Sequence, residues 1–532
     1  MVTRTLALAA AFTMLTPVAH AQSNLPAPVE QGRLQALDGW SVSALSRADG
    51  ALAPDLWARS DPAFVSAVFA RLPAVYESPA MQNLARRVLF SGGEAPHGAE
   101  VEHVRGRFEA LGKMGAADEL ATLAAGAGAT ATDPAIAMFA AQAELARGRR
   151  AEACARGRSA AAGERPPPFL LRLRAYCAAV TGDRAAADLA LELARAQNAA
   201  DNWYTGAVAA AAGAAPARPP AANYDNSLST QLSIAGQLRP GANALNNSST
   251  LALVALARNE NAPQPQRAQA AALAFRRGVI SAQEARTILL ATPTTVTAGL
   301  PSAVAALRQV QAAPGSVEAA TAIAGVLRAA STPADFNAAA RLFRADIVAL
   351  QSAPDAAATL LFARAAITVG DIRNGQRLVA SARQAGADEA MLAPLDAAIV
   401  ALTGPRGENG AMALQRRIDA GASQARAASR DAVILAALGA PVSGTAQAFM
   451  LANPPQGGAR ADTGAMLGLA SAVERGALGE GALLAVAAAG DGGPARLDAE
   501  SLERLIRALR GLRLEEDARR IAAEAILAGS PR

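Results

Sequence analysis

Lysine is almost missing from this chain. Lys113 is the only one, and the other 49 of the 50 basic residues are arginine. A bias that complete, beside so much Ala, Gly and Pro, is the mark of a G+C-rich genome rather than of a surface selected for nucleic acid. Aromatic residues are scarce at 4%, so the stacking platforms that hold single strands are missing. The arginines are interspersed with Asp and Glu, without a basic stripe, and the net charge is +5, or +4 without Arg4. Spread over so long a chain this is a weak field, and a nucleic-acid partner is not expected.

Histidine and cysteine are scarcer still, at three and two residues. Two cysteines cannot form a disulfide framework. No segment beyond the N-terminus offers a run of strongly apolar residues long enough to cross a bilayer. The hydrophobic fraction of 52% is dominated by Ala, which buries little area and favours close-packed helices. Sustained alternation of β-branched residues is absent, so strands are not expected. The Gly-x-Ser-x-Gly elbow, the Walker loop and the Rossmann fingerprint are missing as well. An all-α chain follows, with no cofactor, metal or catalytic residues assigned.

The first residues carry a pattern of export. Arg4 gives a positive start, Leu6 to Leu15 is a short apolar stretch, Pro17 breaks it, and Ala19-His20-Ala21 supplies a small-x-small cleavage site. Cleavage after Ala21 and a periplasmic location are expected, with no Cys at the new N-terminus to carry a lipid. No integral membrane segment is expected after signal removal. In an oxidising compartment a single cysteine pair reads as a bridge, so Cys154 and Cys177 are expected to be joined.

Repeats organise the rest. Gly-centred turns stand at Gly115, Gly148 and Gly182, 33 and 34 residues apart, each joining two helical stretches. Pro134 and Pro168 open two of the helices, at a position where the missing N–H costs nothing. Small or apolar residues follow the turns at fixed offsets: Ala187, Leu191 and Ala194 after Gly182; Ala153, Gly157 and Ala160 after Gly148; Gly375, Val379 and Ala382 after Gly370. This layout resembles a divergent tetratricopeptide repeat. The resemblance implies an α-solenoid of antiparallel hairpins, and it puts Cys154 and Cys177 on packed neighbouring helices. Elsewhere, Asp61-Pro62 and Ser78-Pro79 start helices. Gly511 is expected to turn the chain between two terminal helices, with Glu515, Glu516 and Asp517 at the positive end of the second.

Residues 213–245 and 441–462 are rich in Pro, Gly, Asn and Ser and read as linkers. The expected organisation is a signal peptide at 1–21 and an N-terminal array at 22–212. A middle array at 246–440 and C-terminal hairpins at 463–532 follow the two linkers.

Three clusters could suggest chemistry. Glu94, His97, Glu100, Glu102 and His103 gather metal-capable groups, but the two histidines are six residues apart, which gives no shared helical face. Glu500-Ser501 matches the pair that opens the catalytic domain of soluble lytic transglycosylases, yet it lies in an amphipathic helix without the rest of that motif. Glu515-Glu516 reads as helix-start charge. The expected function is therefore a periplasmic scaffold or adaptor that binds a protein or peptidoglycan. The alternatives are a cell-wall enzyme with an unfamiliar site and a structural spacer of the envelope.

Overall fold

A computed structural model describes residues 37–160, 166–214, 218–295, 300–351 and 353–530. The segment read as a signal peptide, 1–21, lies outside them. The described residues form 27 α-helices and three short 3-10 turns, and their only sheet-like pairing is one isolated bridge, Ala459 to Leu497.

Local chemistry sets the helix ends. Asp61 and Ser78 cap the helices Pro62–Arg71 and Pro79–Phe90 by accepting from the amides of Phe64 and Met81, and each helix begins with proline. Gly115, Gly148, Gly182 and Gly370 all take positive φ, between 74° and 81°. A side chain would be strained there, so glycine lets the chain reverse into the next helix. The second turn of this kind near the end differs from expectation. The helix Ala499–Gly511 runs through Gly511, and Arg513 adopts the left-handed conformation instead, with φ 61°.

Successive helices pack in pairs, for example Pro134–Ala146 on Arg150–Ala160, Pro168–Val180 on Arg184–Ala196, and Ala356–Thr368 on Ile372–Gln384. Their shared faces are filled by Ala and Leu. Small side chains let helix backbones approach closely, and the buried area comes from many modest contributions. Residues from Ala137 to Leu238 build a core of their own, while most other buried residues join one continuous core.

The two stretches read as linkers are not simply extended. Within 213–245 lies the helix Ser227–Ala235, opened by a reciprocal cap between Asn226 and Ser229. Tyr224 is buried beside it, and Gln231 donates to the Leu145 carbonyl at 3.0 Å. Pro and Asn made this stretch look like a loop, but Asn226 is also a strong helix start. Within 441–462 lies the helix Gly444–Ala452.

Leu37–Arg532 makes one compact unit, because the ends of this stretch meet. The helices Pro62–Arg71 and Pro79–Phe90 pack against Leu478–Ala489 and Glu515–Gly529. Gly479 donates to the Leu56 carbonyl at 3.0 Å, and a Cβ there would lie 2.6 Å from the Trp57 ring, so only glycine fits. Arg87 pairs with the buried Asp517, and Arg71 with Asp462 at 3.0 Å. The middle of the chain is tied in as well. Arg258 bridges Asp118 and Glu284 at 2.9 and 2.7 Å, and Arg276 bridges Glu77 and Asp335 at 2.9 and 2.5 Å.

An arginine-lined cavity as the candidate functional site

Where those three regions converge, the fold leaves a cavity of about 580 Å³. Its walls come from Pro79–Phe90, Pro333–Leu342, Ala356–Thr368 and Glu515–Gly529. Apolar wall is supplied by Pro79, Phe336, Ile367, Val369, Leu402 and Leu527, and charge by Arg86, Arg341, Arg344, Arg364, Arg520 and Glu524. The volume lies within the usual range for small-molecule sites.

Five of the six charged side chains are cationic, and their partners differ. Arg86 donates to the Gly278 carbonyl at 2.6 Å, meets Glu119 at 3.2 Å, and lies over the Phe90 ring. Arg364 reaches the carbonyls of Leu527 and Ser530 at the end of the last helix. Arg344 and Arg520 are exposed and pair with Asp371 at 3.8 Å and Glu516 at 2.6 Å. Solvent reaches the cavity on their side.

Arg341 stands apart. It stacks over Phe275 at 4.8 Å and makes no hydrogen bond or ion pair among the described residues. Burial, and then repulsion from Arg86, hold its pKa below the usual arginine value. Desolvation likewise lowers that of Arg86, against the attraction of Glu119. A guanidinium has five N–H donors, and those of Arg341 are left for something else.

Glu524 is the one carboxylate lining the cavity. Its Oε2 accepts from the Ala80 amide at 2.8 Å, which fills one of the unpaired donors at the start of Pro79–Phe90. Its Oε1 is shielded from water and has no hydrogen-bond partner among the described residues. Burial pushes its pKa up to about 7, with Ser78 and the Ala80 amide pulling the other way.

The residues singled out in the sequence lie elsewhere. Cys154 and Cys177 sit on the packed helices Arg150–Ala160 and Pro168–Val180, with Cα atoms 6.0 Å apart and sulfurs at disulfide distance. The Glu94–His103 segment forms no metal-ligating group among the described residues. His103 instead serves the helix Val101–Met114, its Nδ1 accepting from the Glu100 amide at 3.0 Å. Glu500 pairs with Arg504 at 2.6 Å, and the hydroxyl of buried Ser501 accepts from the Ala461 amide at 3.0 Å. Both are structural. Glu516 pairs with Arg520 as helix-start charge, but Asp517 does more, since it anchors Arg87 across the contact between the two ends.

No family model, curated protein or solved structure matches this chain.

Proposed function

We propose that this chain is an exported helical-repeat protein of the cell envelope that holds a partner without transforming it. The observation that carries this reading is the arginine-lined cavity, whose donors are fixed in place by the fold while Arg341 has no acceptor of its own. Pre-placed donors with no partner are the property of a binding site. Glycine turns 33 and 34 residues apart, each between paired helices, support descent from a tetratricopeptide-like array. The export signature at Arg4 to Ala21 supports a periplasmic location.

A cell-wall hydrolase is the competing reading. Cleavage of a glycosidic bond by the usual route needs two carboxylates flanking it. Glu524 lines the cavity without a second one.

Fractionation of producing cells, with mass spectrometry of the N-terminus, tests the location. A mature chain beginning at Gln22 in the periplasmic fraction is expected, and an intact chain in the cytosol contradicts it. Incubating the purified mature chain with peptidoglycan tests the role. Release of soluble sugar fragments contradicts a protein that only binds.

A further inference from the structure

Every other charged side chain of the cavity has a partner that explains its position. Arg86 and Arg364 serve backbone carbonyls of neighbouring helices, and Arg344 and Arg520 pair with carboxylates outside the lining. Arg341 is the exception: a cation held between an aromatic ring and a second cation, with no carboxylate or carbonyl among the described residues to receive its N–H groups. Glu524, the one carboxylate of the lining, is turned into the fold: its Oε2 accepts from the Ala80 amide and its Oε1 is shielded from water. A guanidinium with unused hydrogen-bonding capacity, beside a second guanidinium in a space large enough for a small molecule, defines a ligand by what it lacks.

We propose that the cavity binds a small organic anion, with its carboxylate or phosphate on Arg341 and Arg86 and an apolar body against Phe336 and Leu527. The assignment rests on the reading of this chain as a binding protein and names the chemistry its cavity accepts. Guanidinium groups suit both oxyanions, because their forked N–H pairs match two oxygens at once. Arg341 lies on a helix from the middle of the chain and Arg86 on one near its start. A ligand held by both therefore binds only when these parts are docked.

Calorimetric titration of the purified mature chain tests this with hexanoate, hexyl phosphate and hexan-1-ol. The two anions separate a carboxylate ligand from a phosphate ligand, and the alcohol has the same chain without charge. At least one anion should bind at least tenfold more tightly than hexan-1-ol. Arg341→Met keeps the length and the stacking surface and should weaken that anion at least tenfold. Asn337→Phe, which fills the cavity while leaving every arginine in place, should abolish binding. Circular dichroism of both variants should match the parent, so that lost binding is not lost folding.

Equal affinity for the alcohol and the anions, unchanged binding by Arg341→Met, or binding of neither anion would overturn the assignment. The reading as an envelope binding protein fails separately, on location and on peptidoglycan cleavage.

Discussion

A buried arginine and a half-buried one have opposite surroundings in this molecule. Arg107, on the helix Val101–Met114, is fully buried and donates to five carbonyls, those of Gly39, Trp40, Val42, Leu89 and Ser91, at 2.7 to 3.2 Å. Burial pulls its pKa down to about 9, against the attraction of Asp38, so it stays charged at neutral pH. Arg341 is half-buried over a ring and donates to nothing among the described residues. The first arginine completes the fold by pinning the turn at residues 39–42 onto two helices. The second is left incomplete by the fold. A structural cation uses up its donors, whereas a cation meant for a ligand keeps them.

The contrast breaks first on stability. Arg107→Met strands five buried carbonyls and should cost about 3–5 kcal/mol in chemical denaturation, as removal of a fully engaged buried charge does. Arg341→Met strands nothing and should change stability by less than about 1 kcal/mol. Equal losses would put both residues in the same structural class.

Next in size is the cysteine pair. Cys154 and Cys177 stand 23 positions apart in sequence, and Cys177 packs against the separate core that runs from Ala137 to Leu238. Reduction should remove about 3 kcal/mol by the loop-entropy account. Hydrogen exchange should rise in the helices Arg150–Ala160 and Pro168–Val180 more than around Arg107. Uniform exchange across both cores would show that they do not differ in stability.

Carboxylates repeat the contrast on a smaller scale. Glu480 is fully buried but accepts from the Asp61 amide and pairs with Arg475, while Glu524 leaves one oxygen bare. Because folding raises the Glu524 pKa to about 7, the folded state holds its proton where the unfolded state has lost it. Stability should fall as pH rises from about 4.5 to 7, by at most about 3 kcal/mol from this group. Asp431, buried against Arg417 and raised to about 6, adds to the same slope at its acid end. Glu524→Gln keeps an acceptor for the Ala80 amide and should flatten the upper part of the slope in denaturation curves taken at several pH values. A slope untouched by that change would mean that Glu524 is already matched.

Helix positions and glycine turns were legible in the sequence, because caps and turns are local chemistry. Asp61, Ser78, Pro134, Pro168 and the turn glycines each act within a few residues of themselves. Arg513 escaped notice because a neighbouring glycine offered the more obvious turn. The helix Ser227–Ala235 escaped because its prolines and asparagines outweighed one capping pair.

The cavity was not legible. Arg86, Arg341 and Glu524 lie far apart along the chain and meet only because the two ends of Leu37–Arg532 dock. In a chain where nearly every basic residue is arginine, nothing in the sequence marks these ones out. Gly479, which permits the approach of Trp57, reads as just another glycine in an Ala-rich helix.

Thermal unfolding of the parent and of Arg341→Met, each with and without millimolar hexyl phosphate or hexanoate, tests the central contrast most directly. If Arg341 is held open for an anion, at least one of the two compounds should raise the melting temperature of the parent by several degrees and leave that of the variant where it was. Shifts of equal size in both proteins, or none in the parent, would mean that the spare donors of Arg341 are not a binding site.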